Sequence, residues 1–134
     1  MKKKVLFLCT GNSCRSQLAE AIVNARLGTQ WTAFSAGTHP TGTIHPNTIQ
    51  VLNEIGIHDI GHSKSVEAFR KHQFDLVVTV CDSAAEECPV WLGSGKILHY
   101  DFPDPAITND INDFRKVRDD IEQVIIPLLH NNEF

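Results

Sequence analysis

A cysteine and an arginine near the start of the chain are the side chains best suited to chemistry. Cys9 ends an apolar run, and the residues after it are Thr10, Gly11, Asn12, Ser13, Cys14 and Arg15, here called the oxyanion loop. Gly11 and Asn12 tolerate a positive φ, so successive backbone N–H groups of this loop can turn inward and bind an anion. Arg15 adds a guanidinium fork that fits a tetrahedral oxyanion. Because these positive surroundings favour the thiolate of Cys9, the loop combines a nucleophile with an oxyanion site.

Other interpretations fit this segment less well. A plain turn with a buried cysteine explains a lone thiol after a strand, but it does not explain Arg15 or the Gly, Asn and Ser residues before it. A Walker-type nucleotide site is excluded, because no G-x-x-x-x-G-K-[ST] segment occurs. Cys14, near the start of the next helix, is expected to point inward as a small hydrophobic side chain.

Cys81 and Cys88 form a second pair of thiols. Cys81 follows a β-branched strand, so we expect it at the sheet edge that also carries the oxyanion loop. The stretch between the two cysteines favours a short helix, whose rise would place them about 10 Å apart, so a disulfide requires that helix to distort or unwind. A metal site is not expected, because neither C-x-x-C nor a His/Cys cluster of ligand spacing occurs.

Strands and helices alternate along the chain and would position these residues. Apolar and β-branched runs predict strands at residues 5–8, 31–36, 75–80 and 96–100. Helical spacing of apolar residues predicts helices at residues 16–27, 46–55 and 112–129, with a short helix at 65–71. The buried face of the last helix is expected to hold Phe114, Val117, Ile121, Val124 and Leu128, and Pro127 is expected to bend or fray its final turn. This order predicts an α/β fold, with a four-stranded parallel sheet covered by helices on both faces.

Length and composition indicate one ordinary globular domain, spanning residues 1–134. The chain is 42% hydrophobic and 21% charged, which argues against disorder. Its net charge of −4 gives no general electrostatic footprint for nucleic acid. The apolar run after Lys2, Lys3 and Lys4 is too short for a secretory signal, and no stretch approaches the roughly 20 apolar residues of a membrane span. We therefore expect a cytoplasmic monomer with reduced thiols and no membrane partner.

The oxyanion loop resembles that of the low-molecular-weight protein tyrosine phosphatase superfamily, which reads C-x(4)-C-R-S after a strand. The resemblance covers nearly the whole chain and includes Ser35-Ala36-Gly37-Thr38 and Asp104-Pro105. It implies that Cys9 is the nucleophile, Arg15 the oxyanion clamp and Ser16 a hydroxyl that supports the thiolate. It also implies that Asp104 is the general acid. Spacing alone does not choose between Asp104 and the nearby Asp101, whose simplest role is to cap a loop.

The number of electrons transferred distinguishes two reactions that a site with such a loop could catalyse. Hydrolysis of a phosphate ester needs one thiolate and no net electrons, whereas reduction of arsenate to arsenite needs two electrons, which two thiols supply by forming a disulfide. Three segments resemble the thioredoxin-coupled arsenate reductases of this superfamily: residues 9–17, residues 77–81, and Cys88-Pro89. The resemblance implies that Cys9 attacks arsenate and that Cys81 then attacks Cys9. A Cys9–Cys81 disulfide, followed by a Cys81–Cys88 disulfide that thioredoxin reduces, would complete the relay.

One position departs from the family pattern. Some members bind potassium beside the loop, at positions that match Asn12, Glu20, Ser35 and an aspartate, and Lys64 stands at the aspartate position here. The Lys64 ammonium would then replace the cation and pair with Glu20, while an exposed lysine in a polar loop is an equal alternative. No cofactor or metal is otherwise expected.

Two other functions stay open on the sequence. A tyrosine phosphatase would share the loop and the acid, although such enzymes commonly carry a tyrosine after Asp-Pro, where this chain has Ala106. An oxyanion-binding or redox-sensing module would use the thiols without turnover. The sequence also leaves open a glutaredoxin system in place of thioredoxin, and the preference between arsenate and phosphate.

Overall fold

A computed structural model describes residues 2–82, 90–91, 93 and 95–134 of the chain. Its four strands are β1 (Lys3–Cys9), β2 (Trp31–Gly37), β3 (Leu76–Thr79) and β4 (Lys96–His99). They form one sheet in the order β2-β1-β3-β4, and every neighbouring pair is parallel. The prediction of an α/β domain built on a four-stranded parallel sheet is confirmed.

The helices lie where the apolar spacing predicts them, with boundaries shifted by one or two residues. The α-helices of the described residues are α1 (Arg15–Leu27), α2 (Pro46–Glu54) and α3 (Ile111–His130). The short helix predicted at 65–71 is a 3₁₀ helix at Val66–Phe69, which Ser65 caps by accepting a hydrogen bond from the Glu67 N–H. Of the short helix predicted between Cys81 and Cys88, residues 83–87 lie outside the described part of the chain.

Alternate side chains of β1 pack into two separate cores, because successive residues of a strand point to opposite faces. Val5 and Phe7 pack with buried residues from all three α-helices. The other core contains Leu6, Leu8, Ala36, Phe69, Phe74, Val77 and Trp91. Helices therefore cover both faces, but unequally. In the described part of the chain, the α-helices share one face and the 3₁₀ helix covers the other.

One residue predicted on the buried face of α3 does not lie there. Val124 is 39% exposed, whereas the neighbouring Ile125 is fully buried. The reason is helical periodicity, since the next core position after Ile121 is four residues on rather than three. Pro127 lies inside the helix, which continues past it and ends at His130. None of the helices in the described ranges is long and apolar enough to cross a membrane.

The order of the strands places the oxyanion loop at the functional edge of the sheet. β2 pairs with one edge of β1, and β3 pairs with its other edge. The direction in which successive strands are added to the sheet therefore reverses at β1. Ligands of open parallel sheets bind beyond the carboxyl ends of the strands at such a switch point. Cys9 is the last residue of β1 and so stands at this position.

Candidate active site

The thiol of Cys9 is held by a chain of two hydrogen bonds. Cys9 is only 2% exposed, and its Sγ lies 2.8 Å from Ser16 Oγ in the first turn of α1. Asn12 Nδ2 donates to the same Ser16 Oγ at 2.8 Å. Because an amide nitrogen can only donate, the Ser16 hydroxyl hydrogen is left for Cys9 Sγ. This arrangement suits a thiolate acceptor.

The carbonyl groups of the oxyanion loop are turned outward and hydrogen-bonded to the segment after β2. The bonds run from His39 N to Thr10 O (2.9 Å), from Thr41 N to Gly11 O (3.0 Å) and from His45 N to Ser13 O (3.2 Å). In a planar trans peptide the next N–H points opposite to the carbonyl. The N–H groups of residues 11, 12 and 14 therefore face the other side of the loop, where they can bind an anion.

Asn12 gives the loop its shape. Its φ of 49° lies in the left-handed region, which asparagine tolerates better than most residues. Gln17 Nε2 holds Asn12 Oδ1 at 3.0 Å and also binds His62 O at 2.8 Å. Gly37 must be glycine, because a Cβ there would lie 2.4 Å from Thr10 O. Gln17 belongs to the segment that resembles the family, but no local pattern predicts this contact with His62, which lies far away in the sequence.

Arg15 and Asp104 border the same cavity as Cys9. The cavity has a volume of about 200 Å³, and its lining is Cys9, Gly11, Ser13, Cys14, Arg15, Thr41, His45, Asp104 and Ala106. Arg15 is 4% exposed, and its Nη1 donates to Phe102 O at 3.1 Å. Its Nη2 lies 3.9 Å from Asp104 Oδ2, so a buried cation and a carboxylate meet beside the thiol.

The structure separates the two candidate aspartates. Asp104 Oδ1 accepts a hydrogen bond from the Ala106 N–H at 3.0 Å, and its side chain stays one-third exposed at the cavity. Asp101 Oδ1 instead lies 2.6 Å from His99 Nε2, and Asp101 does not line the cavity. Of these two aspartates, Asp104 is therefore the one whose carboxyl group borders the cavity.

Cys14 differs from Cys9 in its surroundings. It precedes α1 as the N-cap residue, and its side chain belongs to the core that the α-helices share. Burial raises the pKa of the Cys14 thiol to about 11, although a hydrogen bond with Thr48 lowers it in part. At neutral pH Cys14 is therefore a protonated thiol, even though it borders the cavity.

Cys81 is fully buried just beyond β3 and takes part in a disulfide bond. Cys9 and Cys14 are free thiols, so this bond does not join Cys81 to the loop. Cys88, the third cysteine of the predicted relay, lies outside the described residues.

Lys64 lies behind the loop, together with the other positions of the predicted cation site. Its backbone N–H donates to Asn12 Oδ1 at 2.7 Å, and its Nζ lies 3.6 Å from Glu20 Oε1. Nζ also donates to His62 O at 2.6 Å, and the side chain is only 15% exposed. Burial raises the pKa of the Glu20 carboxyl above its ordinary value, although the charge of the nearby Lys64 ammonium opposes this.

Thr41 and His45 also line the cavity, although no sequence pattern predicts them there. The dipeptide His45-Pro46 signalled only the start of α2, and nothing in the local pattern connected it with Cys9. Hydrogen bonds between residues far apart in sequence bring them together.

Comparison with known proteins identifies the family to which this chain belongs. The low molecular weight phosphotyrosine protein phosphatase family matches residues 4–133. Arsenate reductase 2 from Staphylococcus epidermidis is 40% identical over 125 residues, which span 92% of this chain and 94% of that protein.

Two solved structures share the fold at nearly full length. Arsenate reductase from Archaeoglobus fulgidus superposes with a TM-score of 0.83 at 29% identity, covering 94% of this chain and 98% of that chain. An arsenate reductase in the phosphate binding state gives a TM-score of 0.83 at 28% identity and covers 98% of each chain. The resemblance drawn from the oxyanion loop is confirmed: the protein is an enzyme that belongs to the low-molecular-weight phosphotyrosine protein phosphatase family.

Proposed function

We propose that this protein reduces arsenate to arsenite, with Cys9 as the nucleophile. The observation that carries the proposal is the meeting of a hydroxyl-supported thiol, a buried guanidinium and a carboxyl group around one small cavity. Relatives that match nearly the whole chain are named arsenate reductases, and one related structure is in a phosphate binding state. Phosphate and arsenate are both tetrahedral oxyanions, so one cradle of N–H groups and a guanidinium fork suits either.

In the first step, the loop N–H groups and Arg15 bind arsenate, and Cys9 Sγ attacks the arsenic atom. A sulfur–arsenic bond forms and one arsenate oxygen departs. Asp104 gives this oxygen a proton, so that it leaves as water rather than as hydroxide. The preorganised donors stabilise the charge that develops on the remaining oxygens. Arsenic is not yet reduced at this stage.

In the second step, the thiolate of Cys81 attacks Cys9 Sγ. The sulfur–arsenic bond breaks, and its electron pair stays with arsenic, which leaves as arsenite. Two thiols have then lost two electrons and formed the Cys9–Cys81 disulfide. The burial of Cys81 beyond β3, on the carboxyl edge that also carries Cys9, supports this role.

In the third step, Cys88 attacks Cys81, releases Cys9 as a thiol and forms a Cys81–Cys88 disulfide. A dithiol reductant then reduces this bond, and we propose thioredoxin rather than a glutaredoxin system. The finding that Cys81 is disulfide-bonded while Cys9 is free is compatible with the end of this sequence. We further propose that the enzyme works as a monomer in the cytoplasm, where such reductants operate.

Hydrolysis of aryl phosphates is a second activity that the same site favours. Its first step needs only the loop, Cys9 and Asp104, which are common to both reactions. Ala106 follows Pro105 at the cavity and offers no ring on which an aryl group could stack. We therefore propose a weak phosphatase activity beside the reductase activity.

We also propose that Lys64 replaces the monovalent cation found in some relatives. Its ammonium supplies a positive charge next to the buried Glu20 carboxyl, and its backbone holds Asn12. A bound potassium ion is then unnecessary for the shape of the loop.

A coupled assay tests the main proposal. The reduced enzyme is given arsenate, thioredoxin, thioredoxin reductase and NADPH, and arsenite release is measured together with NADPH oxidation. We expect many arsenite molecules per enzyme, none with Cys9→Ser, and hydrolysis of an aryl phosphate that survives Cys81→Ser. Phosphatase activity without any arsenite release would contradict the proposal and favour the hydrolase.

A further inference from the structure

His45 lies in the wall of the cavity that also contains Cys9 and Arg15. It is half-buried, just before α2, and its backbone N–H donates to Ser13 O at 3.2 Å. The chemistry of the proposed reaction uses none of its atoms. His45 nevertheless lines the cavity in which a bound oxyanion would lie.

The hydrogen bond at one ring nitrogen fixes the proton on the other. His45 Nδ1 accepts a hydrogen bond from the Asn47 backbone N–H at 3.0 Å, which caps α2. A backbone N–H can only donate, so Nδ1 carries no hydrogen and the neutral ring has its proton on Nε2. Within the described ranges, no residue accepts a hydrogen bond from Nε2. The ring therefore offers a donor beside the cavity.

Packing holds this donor in place before any ligand arrives. The His45 ring lies 4.6 Å from the ring of Phe114, measured between centroids, and Phe114 is fully buried in α3. Thr48 Oγ1 donates to Ser13 O at 3.0 Å and ties the first turn of α2 to the oxyanion loop. A donor that is already oriented loses little entropy when it binds an anion.

We propose that His45 is an oxyanion-binding residue, whose Nε2–H donates to an oxygen of bound arsenate or phosphate. The inference rests on the proposed function for the identity of the ligand, but it concerns binding rather than electron transfer. It adds a neutral donor to the loop N–H groups and the Arg15 cation. The charge of the anion makes such a hydrogen bond stronger than one between neutral groups.

The test compares phosphate binding by the reduced wild type and by His45→Ser. Serine keeps a favourable N-cap for α2 but removes the ring donor. We expect isothermal titration with inorganic phosphate to show about a tenfold rise in Kd. The KM for arsenate should rise by a similar factor, with kcat within about twofold of wild type. His58→Ser is the matched control, because this exposed histidine binds Asn53 and does not line the cavity, and its phosphate affinity should be unchanged.

Unchanged phosphate affinity in His45→Ser would overturn the inference. If that variant does not fold, NMR of the wild type provides the test. The proton-coupled ¹⁵N signal of His45 Nε2 should shift when phosphate is added. A signal that stays constant at saturating phosphate would also overturn the inference. A different result would contradict the proposed function. A wild type that binds phosphate but releases no arsenite, with a weakened His45→Ser, would contradict reduction and support the role of His45.

Discussion

Cys9 Sγ lies 2.8 Å from Ser16 Oγ, and this contact joins the last residue of β1 to the first turn of α1. Asn12 Nδ2 donates a hydrogen bond to the Ser16 hydroxyl oxygen, so the hydroxyl hydrogen of Ser16 is directed to the sulfur of Cys9. A structural turn would not need a hydroxyl placed in this way beside a buried thiol. The contact therefore supports the proposed role of Cys9 as the nucleophile.

Replacing the hydroxyl should slow the chemistry of Cys9. Ser16→Ala removes the hydroxyl that donates to Cys9 Sγ, so we expect alkylation of Cys9 by iodoacetamide at pH 7 to slow by about 10- to 100-fold. The rate is measured by mass spectrometry of the cysteine peptides. Ser65→Ala, which removes a serine that caps the 3₁₀ helix, is the control and should react at the wild-type rate. A wild-type rate in Ser16→Ala would contradict the assigned role of the hydroxyl.

Cys14 should resist alkylation in the folded protein. Its pKa is raised from 9.0 to about 11 by burial, so between these pH values the folded state keeps a proton that the unfolded state has lost. The folded state binds more protons, and the free energy of unfolding therefore falls as pH rises from 9 to 11. At pH 8 iodoacetamide should modify Cys9 but not Cys14, and both should react in urea. Comparable labelling of the two thiols in the native protein would show that Cys14 is not shielded as described.

Asp104 and Asp101 offer a matched pair of substitutions. Asp104→Asn removes the carboxyl group at the cavity, so hydrolysis of an aryl phosphate should slow by about 10²–10⁴-fold, as for loss of a general acid. Asp101→Asn changes a residue that binds His99 outside the cavity, so its activity should stay within about twofold of wild type. Steady-state kinetics with purified variants measures both. Equal losses in the two variants would contradict the assignment of Asp104 as the acid.

Lys64 should make the enzyme insensitive to potassium. Its ammonium already lies 3.6 Å from the Glu20 carboxylate, so exchange of sodium chloride for potassium chloride should leave the rate of arsenite release unchanged. Lys64→Asp removes this charge and adds a carboxylate, and the variant should respond to potassium. The measurement is kcat/KM at constant ionic strength in each salt. A clear stimulation of the wild type by potassium would show that Lys64 does not replace the cation.

Much of the fold could be predicted, because its signals are local. The apolar run that predicts β1 and the spacing of Leu18 and Ile22 that predicts α1 both appear within one element. The prediction that Val124 lies in the core is wrong, because core positions of a helix recur after three or four residues and the sequence allows either interval after Ile121. Ile125 is the residue that packs there.

The centre of the site could also be predicted, but its surroundings could not. Cys9 and Arg15 belong to one short segment with a characteristic spacing. The positions of Gln17 and His45 depend instead on hydrogen bonds to His62 and Ser13, which lie far away in the sequence. Choosing Asp104 over Asp101 required either a family resemblance or the path of the loop after β4.

The number of arsenite molecules that Cys88→Ser releases tests the three-cysteine relay most directly. The reduced variant is mixed with excess arsenate, thioredoxin, thioredoxin reductase and NADPH, and the cysteine pairing of the product is mapped by mass spectrometry. The relay predicts at most one arsenite per enzyme and a trapped Cys9–Cys81 disulfide. Continued turnover of Cys88→Ser at a rate near that of the wild type would contradict it.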